Sequence, residues 1–170
     1  TLLGDVIVTD QKSRKESFSR IKTKHVSVLP GNSGGIEAIL KTLPGVSSSN
    51  ELSSQYSVRG GNFDENLVYI NGIEVYRPFL VRSGQQEGLS LVNTDMVGNI
   101  LFSAGGFDAK YGDKMSSVLD ITYKEAQYNN ASIQLSLLGG SAYAEEISKN
   151  KKFTYFIGAR HKTNKYLLGS

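Results

Sequence analysis

The C-terminal part of the chain carries a period of two, and that period limits its possible folds more than any other feature. In 131–146 (ASIQLSLLGGSAYAEE), Ile133, Leu135 and Leu137 share one face of an extended strand, and Ser132, Gln134 and Ser136 share the other. SKNKK then reads as a turn. KFTYFIGARHK places Phe153, Tyr155, Ile157 and Ala159 opposite Thr154, Gly158 and Arg160, with Phe156 breaking the alternation. Two long amphipathic strands make a hairpin that is marginal in water. With nothing downstream to pair with, the chain reads as cut off inside a larger sheet.

The rest is long enough, in a chain of 170 residues, to bury a core. Gly is plentiful at 18 and Pro scarce at 3, which with Tyr, Ser, Val and Ile points to turn-rich β structure. There is no Cys, hence no disulfide, thiolate metal site or Cys nucleophile. No run of 18 apolar residues marks a transmembrane helix. The N-terminus does not read as a signal peptide, so the chain is intracellular, mature or excised. The net charge of +3 is uneven: 147–170 hold six Lys/Arg and no acid, while 1–146 hold thirteen Lys/Arg against sixteen Asp/Glu. Such a tail suits nucleic acid, an anionic membrane surface or a solvated hairpin end.

Residues 2–9 (LLGDVIVT) and 25–30 (HVSVLP) read as strands, and the charge-dense 11–24 as a linker. Ile36, Ile39, Leu40 and Leu43 fall on one face of a helix over 36–43. Ser33 or Gly34 stands at its N-cap, Glu37 in its first turn suits the helix dipole, and Pro44-Gly45 ends it. LVYI-NG-IEVY predicts a hairpin with Asn71-Gly72 in a type I′ turn. Residues 80–97 read as loop with a helical turn near 93–97, and NILFS and SVLDITY as two strands.

Catalysis finds no support. GNSGG (31–35) fits the G-x-S-x-G nucleophile pattern, but the only bases are His25 and His161, with no orienting acid marked out. Ser33 is read as a helix cap. Ser19-Arg20-Ile21-Lys22 matches S-x-x-K without partner motifs, and Arg59-Gly60-Gly61 is a lone RGG. Asp64-Glu65 beside Asn62 lacks EF-hand spacing. No metal or cofactor is expected.

The order of segments is more specific. ILKTLPGV, YSVRGG, NLVYINGIEV and FSAGGFDAKYGDKMSSVLDITYK together resemble the plug domain of TonB-dependent outer-membrane receptors, over about residues 28–125. The family's helix ends in LPGV (43–46 here), followed by a strand with an Arg-Gly pair (58–60), a strand-turn of the form LVLIDG (67–72), and a Tyr-Gly step (111–112) before GGVINI. Here that last motif is SSVLDI (116–121), and the apical loop VRSGQQEG also departs from iron-siderophore receptors. YRPF and the SAGGFDAKYGDKMSSVLDI stretch resemble the branch that carries an N-terminal carboxypeptidase-regulatory-like domain.

The resemblance implies an α+β plug, a small mixed sheet with short helices, followed by the first amphipathic hairpin of a 22-stranded transmembrane β-barrel. Its divisions are an N-terminal strand or TonB-box segment and linker (1–27), the plug (28–127) and the first two barrel strands (128–170). Arg59 corresponds to the plug arginine that pairs with barrel glutamates. Asp5, Val6, Ile7, Val8 and Thr9 form either the TonB box, which adds as a strand to a periplasmic energy-transducing partner, or the plug's first strand. Asn62, Phe63 and Asp64 at one tip, with Tyr76, Arg77, Phe79, Arg82 and Gln85 in the loop 76–88, are candidates either to contact substrate or to pack on the barrel wall. Lys149, Lys151 and Lys152 would sit at the rim beside anionic outer-membrane lipids, making nucleic acid unnecessary. A surface lipoprotein is a further candidate partner. The implied function is energy-coupled import of a large nutrient or metal chelate. The competing class is a freestanding soluble periplasmic β-rich binding or adhesion domain.

Overall fold

The computed structural model describes residues 18–21, 35–48, 54–82, 85–136, 139–150 and 152–162. In chain order its elements are β1 (Ser19–Ile21), α1 (Ile36–Leu40), β2 (Val46–Ser47), β3 (Ser57–Val58), β4 (Asn66–Ile70), β5 (Ile73–Glu74), β6 (Phe79–Arg82) and β7 (Gln85–Ser90). β8 (Val97–Ser103), β9 (Ser117–Tyr123), β10 (Asn130–Ser136), β11 (Gly139–Ile147) and β12 (Thr154–Lys162) follow. Short 3-10 turns at Phe63–Glu65 and Thr94–Met96 lead into β4 and β8.

A mixed sheet in the order β1-β8-β9-β4-β5 organises the first part of the chain. Only the central β4–β9 pair is parallel, running from Asn66 opposite Ser117 to Ile70 opposite Ile121. That pair is covered on both faces, as parallel strands need. Val68, Leu119 and Ile121 face the main core with Ile36, Ile39 and Leu40 of α1. Leu67 and Val118 face a smaller cluster around Tyr111, with Phe18, Tyr69 and Phe107 packed on it. The β4–β5 hairpin turns through Asn71 (φ 52°) and Gly72 (φ 77°), the two positive φ values of the expected type I′ turn.

Three expectations need correction. Part of the supposed linker 11–24 is strand: β1 pairs antiparallel with β8, and Ile21 is buried in the main core. The supposed loop 80–97 holds a ladder, with Arg82 opposite Gln85 across two intervening residues, Ser83-Gly84. Ser-Gly is itself a hairpin turn signal, which the Gln and Gly content hid. The helix also starts later than its expected cap. Gly35 is the N-cap, with extended backbone and no side-chain cap bond, while Ser33 lies outside the described residues, as do 2–9 and 25–30. The helix ends at Leu40, and Leu43, three residues on, still packs against the core.

The C-terminal strands form a separate antiparallel sheet, β10-β11-β12. Residues 131–146 were expected as one strand, but β10 and β11 pair with each other, Ser136 opposite Gly139. A three-stranded meander therefore replaces the expected two-stranded hairpin. Glycine makes the fold-back possible. Gly139 has φ 139°, and a Cβ on Gly140 would come within 3.0 Å of Leu135 Cδ2 on the facing strand.

Candidate functional site

The sheet's topology brings several surface segments to one end. β4 starts there at Asn66, with the tip 62–65 just before it. The bond from Val75 N–H to the Val68 carbonyl sends 76–78 back to the same end, and the parallel β9 starts there from 113–116. Asn62, Asp64, Tyr76 and Arg77 are exposed at this end, with Phe63 partly so. Asn62 Oδ1 accepts from the Phe63 N–H at 2.9 Å and fixes the start of the 3-10 turn. Phe79, Arg82 and Gln85 lie on the β6–β7 ladder. The structure thus places the tip residues and Tyr76-Arg77 at one end of the sheet.

The departure of SSV from the commoner GGV has a local reason. Ser116 Oγ donates to Glu65 Oε2 at 2.6 Å, and Ser117 Oγ donates to Asn66 Oδ1 at 2.7 Å. Asn66 Nδ2 in turn donates to the Tyr56 carbonyl at 2.7 Å. These bonds tie the tip to the start of β9. Gly61 is required below them, because a Cβ there would lie 1.8 Å from Ser116 Oγ.

Arg59 occupies the turn after β3 with a left-handed backbone (φ 50°), its N–H donating to the Gly45 carbonyl at 2.7 Å. Its side chain is exposed and makes no ion pair among the described residues. Asp5, Val6, Ile7, Val8 and Thr9 lie outside the described residues. Tyr111, of the Tyr-Gly step, is buried between Phe18 and Tyr69 and donates to Asp120 Oδ2 at 2.6 Å. Burial first, then the Asp120 carboxylate, hold its phenol well above the ordinary tyrosine range.

The sequence reading missed how the two sheets are joined. From β12, Arg160 donates to the Val92 carbonyl at 2.8 Å and to the Ser90 carbonyl. Ser141 of β11 donates to Asp95 Oδ2 at 2.8 Å, and Phe156 meets Tyr123 edge to face. Gly158 lets the strands approach, since a Cβ there would lie 2.7 Å from Met96 Sδ. Next to this seam, Glu37 of α1 is buried rather than solvated at the helix start. Burial raises its pKa above the ordinary 4.5, against the lowering effects of its own backbone N–H, Ser90 and the fields of Arg160 and Lys41.

The face of β10-β11-β12 that touches the rest of the protein is therefore the polar one. The opposite face pairs Ile133 with Ala142, Ala144 with Ile157 and Ala142 with Ala159. It points away from the protein, with Ile133 76%, Leu135 87% and Ile157 66% exposed.

A family model described as TonB-dependent Receptor Plug Domain matches residues 11–118. Two structures of the ferric enterobactin receptor PfeA from Pseudomonas aeruginosa, both mutants in complex with enterobactin, share the fold at 21% identity. One has a TM-score of 0.53 over 84% of this chain and 24% of its own. The other has 0.54 over 90% and 26%. The chain thus spans about a quarter of the length of these solved relatives. No curated protein matches it.

Proposed function

Because the chain belongs to the plug-domain family of TonB-dependent receptors, we propose that it is the gate of an outer-membrane receptor importing a large nutrient or metal chelate, together with the first strands of the surrounding barrel. The reading is carried by the reversed polarity of the C-terminal sheet. A soluble protein turns the apolar face of a sheet inward. Here the polar face meets the globular part and the apolar face is open, as in a strand with lipid outside and a plug inside. A freestanding soluble binding domain would leave Ile133, Leu135 and Ile157 in water.

Within this reading Arg59, exposed on a strained turn, anchors the plug to acidic side chains of the barrel wall. The segment 5–9 couples to a TonB-type periplasmic partner by strand addition. Tyr76, Arg77 and the tip 62–64 offer stacking and hydrogen-bonding groups to the cargo from one end of the sheet, with Phe79, Arg82 and Gln85 following on the ladder. The family transports rather than catalyses, in keeping with a candidate site built from tip loops. The YRPF and SSVLDI variants support the branch with an N-terminal carboxypeptidase-regulatory-like domain, and a surface lipoprotein is a further partner of that receptor.

Density separation of membranes tests the reading, with an antibody against 45–125 reporting mass before and after boiling. We expect a band several times heavier than 18.5 kDa in the outer membrane, shifting on heating. A soluble band near 18.5 kDa would overturn the proposal.

A further inference from the structure

The segment 90–92 at the seam is held from both sides by groups of opposite charge. On the outer side, Arg160 of β12 donates to the Val92 carbonyl at 2.8 Å and to the Ser90 carbonyl. On the inner side, the Val92 N–H donates to Ser90 Oγ at 3.2 Å, and the Ser90 side chain hydrogen-bonds to the Glu37 carboxyl of α1. Two carbonyls thus meet a cation, while an N–H and a hydroxyl lead towards a carboxyl. Bonds chained in this way polarise one another and strengthen when the ends are charged. Glu37 therefore acts on Arg160 both through this segment and through its field.

Glu37 is 5% exposed, where a charge is costly. Burial lifts its pKa above the ordinary 4.5, so it changes charge in a range where exposed glutamates stay ionised. The other described groups that face it are Lys41, one turn along α1, and the phenol of Tyr56, which burial and the Glu37 charge keep neutral. Around Arg160 stand Asp95, which accepts from Ser141 of β11, and Tyr123. His161, next along β12, is exposed and belongs to the opposite face. Val92 and Tyr56 share the main core with Ile36, Ile39 and Leu40, so withdrawal of Arg160 leaves Glu37 covered. A carboxylate left there without the guanidinium field is worse off, and the closed seam is favoured where Glu37 is ionised. Whole-chain unfolding has the opposite sign, because it carries the carboxyl into water.

We propose that Glu37, Ser90 and Arg160 form a proton-sensitive latch between the globular part and β12, closed when the Glu37 carboxyl is ionised and loosened when it takes up a proton. The latch reverses the polarity of the Arg59 anchor: its cation comes from the strand and its acid from the core of the globular part. That it ties a plug to its barrel rests on the transport reading; the bonding chain itself does not.

Amide exchange of the full-length protein in detergent micelles tests the latch, read by mass spectrometry from about pH 5 to about pH 9 and corrected for the intrinsic pH dependence of exchange. Protection over 90–92 should rise roughly tenfold across that range in the parent, with no such rise over 117–121 in the mixed sheet. Glu37→Gln should abolish the rise. Arg160→Met should be low at every pH, and adding Glu37→Gln to it should change nothing further. Should Glu37→Gln fail to fold, Ser90→Ala keeps the backbone carbonyl for Arg160 and must flatten the same rise. A rise retained in Glu37→Gln or Ser90→Ala, protection that falls with pH, or additive losses in the double variant would overturn the proposal. Membrane fractionation decides the transport reading separately, since the exchange result reports the bonding chain wherever the protein resides.

Discussion

The mixed sheet and the C-terminal meander alternate side chains in the same way and place them oppositely. In the first, Ile100, Val118 and Ile121 are fully buried, and the apolar positions face inward. In the second, Ile133, Leu135 and Ile157 face outward while Ser141 and Arg160 reach into the protein. Alternation along a strand says that two faces differ. Which face turns inward is decided by what lies on either side of the sheet.

The largest effects should separate the sheets by core truncation. Ile121→Ala, at a fully buried site, should cost about 2–5 kcal/mol in denaturant unfolding. Leu135→Ala, at an open one, should change the same measurement by under about 0.5 kcal/mol. Equal costs would mean that the outward face is covered in the folded protein.

Charge insertion turns the comparison around. Ile157→Lys should be nearly silent in water yet cost about 2–4 kcal/mol when the full-length protein is folded into lipid vesicles, if the site lies near the bilayer midplane. A variant equally stable in both media would remove lipid from the account.

The seam between the sheets comes next. Arg160→Ala removes the charged donor from two carbonyls and should cost about 1.5–3 kcal/mol, seen as faster amide exchange over 90–96. Glu37 adds a pH dependence. Because its pKa is raised in the folded state, the folded protein holds this proton longer than the unfolded chain. Its contribution is intact below 4.5 and is lost as pH rises from there through the folded value. Glu37→Gln should flatten that limb of the stability profile, and an unchanged slope would show that the carboxyl is solvated.

Local chemistry made much of this legible. Asn71-Gly72 announced its turn, the runs 99–103 and 117–123 their strands, and Ile36, Ile39 and Leu40 their buried face. What stayed hidden depends on partners distant in sequence. β1 offers one buried apolar residue, Ile21, among charges, and becomes a strand only because β8 presents an edge. The burial of Glu37 follows from α1 packing beside Ser90 and Arg160, which no local pattern encodes. The fold-back between β10 and β11 goes with a shift of the apolar positions from odd (Ile133, Leu135, Leu137) to even (Ala142, Ala144), which a reading as one continuous strand passed over. At the candidate site the tip residues were readable as exposed and polar. The serine bonds that hold the tip were not, because a family pattern marks Ser116 and Ser117 as departures without saying what they touch.

Those serines give the smallest effect and the closest test of the mixed sheet's ordered end. Ser116→Gly restores the commoner motif residue and removes one hydrogen bond to Glu65, at a part-buried position. A loss of about 0.5–1.5 kcal/mol is expected, with extra mobility confined to 62–65. Gly61→Ala in the parent should cost more, since its Cβ would meet Ser116 Oγ at 1.8 Å and Ser116 Cβ at 2.9 Å. Combined with Ser116→Gly, both of those obstacles disappear, and the pair should be less harmful than the sum of the single changes. Additive losses would mean that the tip is held by its own 3-10 turn and the Asn66 bonds. Non-additivity would establish that Gly61 and Ser116 are matched to one another, so that the glycine and the serine are explained by a single close approach of the tip to the start of β9.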